Sequence, residues 1–467
     1  MIPDYLSVID QARLVASREV SARELTTHSL DRIARHNADL KAFVNVLVDD
    51  ALAQADALDK QMAGGGEPVG PLHGVPIAIK DELDVRGVRT SLGTNAVTKP
   101  TRADSEVVRR LREAGAVIIG KTAMPEFGQW PFTESTTNGY TRNPWNRMYS
   151  TAGSSGGTAA SVASGMVAAG LGGDGGGSIR LPSAWCGLFG VKAQRGRIST
   201  APNARLWRAL GVVGPLTRTV ADSALLHDVL TSHLPSDRYS AEPLAEPLAR
   251  SIERDAGHLR ILLAEKPATG SGPRLEPQTR AALHRVAEML ADAGHSVEDG
   301  KLPDYKPGLA MLSQVGGGVV DELSLIDSTR KLETRTRHAL LLYRALAPLA
   351  NGAERKSEAL GAQMFTVFDT YDLVLTPTVP HPALPVGQLD GMGFLRTALA
   401  ALPFTSYTAV WNVLGNPAAS VPAGFTAGGL PLSVQLVVAP NNEPLLFQVA
   451  AQIERALPWA DRQPALG

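Results

Sequence analysis

Cysteine is almost missing from this chain. One stands among 467 residues, Cys186, so no disulfide can close within it, and the composition fits a reducing compartment. An excess of charge of either sign is missing too: 45 Lys and Arg face 46 Asp and Glu, for a formal net charge of -1. Such a balance gives no basic field to gather nucleic acid or an anionic membrane, which leaves a small molecule as the expected partner. No run of about eighteen apolar residues occurs, so no membrane span is expected. The opening MIPDYLSVIDQARL carries Asp4 and Asp10 where a secretory signal needs basic residues and an apolar core, which points to the cytoplasm. The ten histidines are scattered, without an HExxH pair or a Cys/His cluster, so a zinc site is not expected.

Glycine is what the chain has in plenty. Thirteen of its 45 glycines fall between Gly153 and Gly196, in the run GSSGGTAASVASGMVAAGLGGDGGGSIRLPSAWCGLFGVKAQRG. Glycine is costly to order, so the concentration implies backbone that turns tightly or closely approaches something.

The flanking sequence alternates strand and helix. Ser21 and Glu24 are spaced as a capping box before a helix carrying Leu25, Leu30 and Ile33. Residues 43–48 read as a strand, 49–62 as a helix stopped by Gly64, Gly65 and Gly66, and 75–79 as a strand that delivers Lys80 at its end. The helix SEVVRRLREAG and the strand AVIIGKT follow. Beyond an exposed connection over 232–256 come the strand LRILLA, the helix PQTRAALHRVAEMLADAGH, a mostly helical block over 309–371, the strand DLVLTPT and a last strand–helix pair. The pattern predicts an α/β fold: one large domain over 1–467 with a mixed, mostly buried sheet covered by helices on both faces. Within it, helices occupy about 1–65, a core about 70–230, a further block about 300–365 and a closing strand–helix unit about 370–460.

Three motif matches need weighing. GAVIIGKT (115–122) fits the phosphate-loop pattern, but its four middle residues form a β-run preceded by a helix, the reverse of what that loop needs. Gly170, Gly172 and Gly175 fit G-x-G-x-x-G, yet an alanine-rich helix precedes them and Pro182 follows. Gly153–Gly157 fits the G-x-S-x-G elbow of an α/β-hydrolase-like esterase with Ser155 as nucleophile; here the preceding NPWNRMYSTA makes a poor buried strand.

A fourth constellation joins Lys80, Ser154 and Ser178 with the amides of Gly175, Gly176 and Gly177. A serine nucleophile needs a base, and a lysine serves when burial holds it neutral. Consecutive glycines let several N–H groups converge on one point, as an oxyanion hole requires. Each part also has a plainer reading, a solvated surface lysine and a flexible loop.

With VPIAIKD around Lys80, AGAVIIGKT before MPEFG, NPW at 143–145, GSSGG at 153, GGDGGGSIRLPSAWCG around Ser178, GPLTRTVAD at 214, YDLVLTPT at 371, and GNPAASVPAG followed by GLPLSVQLV, the chain resembles the amidase signature family. The resemblance covers most of the chain in the family's order. It implies a Ser-Ser-Lys triad: Ser178 as acyl nucleophile, Ser154 as relay 24 residues before it, and Lys80 as base. It further implies a cis peptide at Gly153–Ser154, an oxyanion hole from Gly175, Gly176, Gly177 and Ser178, and supporting roles for Ser155, Asp174 and Arg180. The chemistry so implied needs no metal or cofactor, and Cys186 then reads as packing. Where the family commonly has Thr the chain has Gly173, where it has a larger residue the chain has Gly175, and where it has Pro-Thr the chain has Ala193-Gln194.

Specificity is expected from Gly128, Gln129, Trp130, Pro131 and Phe132, with Trp130 and Phe132 as an apolar wall, and from the block 309–364. The expected substrate is a small hydrophobic or aryl amide, with ester or carbamate cleavage as side activities; a homodimer is a further expectation. A glutaminase-type subunit of an amidotransferase and a silent binding protein are the alternatives.

Overall fold

Eleven strands, most of them buried, form one mixed sheet. The computed structural model describes residues 2–203, 206–269, 272–305 and 308–466; residues 204–205 and 306–307, inside the expected core and the block about 300–365, lie outside the described residues. The strands are β1 (Phe43–Val46), β2 (Pro76–Lys80), β3 (Val117–Thr122), β4 (Ala169–Asp174), β5 (Phe189–Lys192), β6 (Val212–Thr217), β7 (Arg260–Leu263), β8 (Ser296–Asp299), β9 (Leu373–Pro377), β10 (Ala418–Phe425) and β11 (Pro431–Val438). Their spatial order is β1-β3-β2-β4-β6-β5-β10-β11-β9-β7-β8. Helices cover both faces. The largest apolar cluster joins β10 and β11 to the helices Pro277–Asp292 and Glu443–Ala456. No helix among the described residues is long and apolar enough to cross a membrane.

The arrangement that matters for chemistry is the parallel pairing of β2 with β4, in register Ile77 to Ala169 and Ile79 to Leu171. Parallel neighbours end on the same side of the sheet, so Lys80, closing β2, emerges beside Gly173 and Asp174, closing β4.

Strand β4 is a correction to the sequence reading, which expected no strand there. Its alternate positions lack bulky residues because the helix Gly156–Ala163 presses against it: a Cβ on Gly170 would meet Thr158 Cγ2 at 2.7 Å, and one on Gly172 would meet Ser155 Oγ at 2.7 Å. The glycines therefore serve contact between layers, and they erase the alternation by which strands are recognised. Strands β5, β6 and β8 are likewise additional, and the closing unit contains a hairpin, β10–β11, where one strand was expected.

The phosphate-loop lookalike is strand β3, buried throughout. Its Lys121 donates to Leu83 O at 2.7 Å and Thr90 Oγ1 at 3.0 Å, and pairs with Asp81 at 3.2 Å, so the side chain is committed within the fold.

Candidate active site

Five consecutive buried residues carry β2 to Lys80, whose side chain is 1% exposed. Its Nζ donates to Ser154 Oγ at 2.8 Å and to Gly173 O at 3.3 Å, and stands 3.1 Å from Glu82 Oε1. Burial lowers the lysine's pKa from its usual value, while the carboxylates of Glu82 and, less strongly, Asp174 pull it back up. The solvated-lysine reading is thereby excluded.

Ser154 follows a cis peptide from Gly153. The next residue, Ser155, begins the helix Gly156–Ala163, and its hydroxyl is taken up by strand β4: it donates to Gly173 O at 3.2 Å and accepts from Gly173 N–H at 3.3 Å. The short strand before it, Asn146–Ser150, belongs to a two-stranded ribbon outside the main sheet. Neither feature suits a nucleophile elbow, which needs its serine exposed after a strand of the central sheet. The backbone of Ser155 donates to Ser178 O at 3.2 Å, tying the two serine-bearing segments together.

Asp174 shapes the loop that leads to Ser178. One of its oxygens accepts from Gly177 N–H at 2.7 Å and Asn412 Nδ2 at 2.8 Å, the other from Ile179 N–H at 3.2 Å. Arg180, fully buried, grips both oxygens at 3.0 Å and extends to Gln435 at 2.7 Å and Asn412 at 2.7 Å. Burial alone would raise the Asp174 pKa, but Arg180, Asn412 and Lys192 hold it well below the usual carboxylate range. The loop is braced from within and is neither a surface ion pair nor a flexible turn.

The bracing sets one expected site residue apart from the others. The Gly177 amide is spent on Asp174 and the residue does not line the cavity, which leaves Gly175, Gly176 and Ser178 facing it. Gly177 is glycine for its backbone: φ is +128°, and a Cβ would fall 2.4 Å from Thr408 Oγ1.

A cavity of about 80 Å³ opens over these groups, lined by Lys80, Ser154 and Ser178 together with Gly128, Gln129 and Trp130. Gln129 is oriented by Thr336 at 3.0 Å and Tyr343 at 3.3 Å. Phe132 is not part of the wall; it packs in the core on Trp185 and Phe404, with ring centroids 6.0 and 4.9 Å away. Met311 and Val315 represent the block 309–364. Cys186 is buried, and burial pushes its thiol pKa up, in keeping with packing.

Glu82 and Trp207 are among the lining residues that escaped the sequence reading. Trp207 explains Gly175: a Cβ there would stand 3.2 Å from the indole ring, which fills the space that a side chain at 175 would take. Nothing local marks either residue, because each is defined by a glycine far away in the chain.

The family model described as Amidase matches residues 24–447. The chain belongs to the amidase family. AmiA2 of Mycobacterium tuberculosis, named as an amidase, is 41% identical over 96% of this chain and 93% of its own length. Among solved structures, a 6-aminohexanoate cyclic dimer hydrolase superposes with a TM-score of 0.91 at 29% identity over the whole of both chains. A bacterial aryl acylamidase of the amidase signature enzymes gives 0.87 at 26% identity, covering 98% of this chain and 97% of that one. The amidase family accounts for the chemistry at its coarsest: this chain hydrolyses amide bonds.

Proposed function

We propose that this amidase cleaves a hydrophobic or aryl carboxylic amide through a seryl acyl-enzyme, with Ser178 as nucleophile, Ser154 as proton relay and Lys80 as base. The observation that carries the reading is the buried 2.8 Å contact between Lys80 Nζ and Ser154 Oγ, opening with Ser178 onto one cavity. Ser178 Oγ attacks the carbonyl carbon as its proton passes to Ser154, which gives its own to neutral Lys80. The amides of Gly175, Gly176 and Ser178 receive the oxyanion, each such donor being worth about 2.7–4 kcal/mol of barrier. Collapse breaks the C–N bond while the proton returns from Lys80 through Ser154 to the leaving nitrogen. Water then repeats the sequence on the ester and releases the carboxylate. The same acyl-enzyme would admit esters and carbamates.

The substrate preference rests on the wall formed by Trp130, Trp207, Met311 and Val315. The named activities of the cyclic dimer hydrolase and the aryl acylamidase lend it support. In a panel of anilides, fatty amides and glutamine, the first two classes should turn over; turnover of glutamine alone would overturn the preference. Trp207→Ala is expected to shift kcat/KM toward bulkier anilides by about tenfold or more, because it empties the space above Gly175.

The decisive experiment for the chemistry is reaction with a fluorophosphonate followed by peptide mass mapping. Ser178 should carry the label. Label on Ser155 would support the esterase elbow instead, and an unlabelled, folded protein would support a silent scaffold.

A further inference from the structure

Gly173 and Glu82 fit one another as Gly175 and Trp207 do, but at the base itself. A Cβ on residue 173 would come within 1.9 Å of Glu82 Oε1, the oxygen that stands 3.1 Å from Lys80 Nζ. The Glu82 side chain, 6% exposed, thus fills the volume that residue 173 leaves empty. Strand β2 ends at Lys80 and the chain turns at once, Leu83 N–H donating to Lys80 O at 3.0 Å; the turn brings the Glu82 carboxylate back to Lys80 while Asp81 pairs with Lys121 at 3.2 Å.

We propose that Gly173 admits the Glu82 carboxylate to Lys80, and that Glu82 is a positioning residue which holds the lysine toward Ser154 and sets the pH at which it begins to act as a base. The proposal rests on the triad reading above. An opposite charge at this distance favours the protonated amine by about 1–3 pH units, against a burial that favours the neutral one. Glu82 therefore opposes the burial, so that the lysine holds its proton to a higher pH than burial alone would allow. The other charged groups in reach are Asp174, acting on Lys80, and Lys121 and Glu322, which feel Glu82 from strand β3 and from the helix Gly308–Glu322. Burial, Glu82, Asp321 and Asp84 push the Glu322 carboxyl up to about 8, so it titrates close by and needs its own control.

The test follows the second-order rate of fluorophosphonate labelling of Ser178 against pH, which requires no knowledge of the substrate. Glu82→Gln should move the acid limb down by about one unit or more, because removing the carboxylate lowers the lysine's pKa. Gly173→Ala should move it the same way by displacing the carboxylate with a methyl group, and the double variant should move it no further than either single change. Should Glu82→Gln not fold, Gly173→Ala reads the same displacement alone. An unmoved or raised limb overturns the proposal, as does an equal shift in Glu322→Gln. Labelling of Lys80→Ala at the native rate would instead overturn the triad reading on which it rests.

Discussion

Lys80→Ala is expected to slow acylation of Ser178 by at least about a thousandfold, equivalent to about 4 kcal/mol of barrier. Among the described residues no other base is in contact with the relay: Ser154 Oγ has the lysine as its hydrogen-bond partner, and the neighbouring Ser155 hydroxyl is taken up by Gly173. The truncation leaves Glu82 without its cation, and a carboxylate stranded in the interior is destabilising. A carboxyl can take up a proton, however, which limits the cost and lets the fold persist. The pH dependence should change in kind. In the native enzyme the active form carries a neutral lysine, so the rate is present above the lysine's pKa and lost as pH falls through it. Burial places that limb below the usual value of about 10.4. The variant should have no such limb. Single-turnover acylation across pH, with circular dichroism as a check on folding, measures both effects; a near-native rate in a folded Lys80→Ala would remove the lysine from the mechanism.

The parts of this site that were legible in sequence are those whose physics is local. Lys80 closes a run of apolar β-formers, and Ser154 and Ser178 each sit against glycines within motifs that keep their spacing. The alternation of strand and helix over the first 122 residues needs only near neighbours as well. The remainder is set by residues distant in the chain. Strand β4 was invisible because its helix-facing positions are glycines, required by Thr158 and Ser155 on the helix Gly156–Ala163. Gly177 looked equivalent to Gly175 and Gly176 until Asp174 claimed its amide. Phe132 and Trp130 stand two residues apart in GQWPF, yet only the tryptophan reaches the cavity. Gly173 and Gly175 stood out in the sequence as departures from the family pattern. In the fold they are sockets, filled by Glu82 and Trp207, so the two departures from the family pattern are matched by compensating side chains.

Arg180→Ala should fail differently from Lys80→Ala, by losing stability and rate together. The guanidinium makes a two-point contact with Asp174 and also donates to Gln435, Asn412 and Thr408 O, all in the interior. Breaking a buried pair by deleting one partner costs about 3–5 kcal/mol, since the remaining charge stays in a poorly solvating site. Asp174 would keep Asn412 and its backbone donors but lose the charge that outweighs burial. Its pKa should then rise, and the linkage has a definite sign. A carboxyl depressed in the folded state contributes stability that is present above its unfolded pKa of about 3.9 and lost as pH falls toward the folded value. The native enzyme should therefore resist mild acid through this pair, and Arg180→Ala should unfold at a higher pH as well as a lower temperature. The rate should fall too, because Asp174 holds Gly177 and so fixes how Gly175, Gly176 and Ser178 face the cavity. Thermal unfolding from pH 3 to 8 beside single-turnover acylation tests the two consequences separately. A variant that loses stability but acylates at the native rate would mean that the loop holds its shape without the Asp174–Arg180 pair.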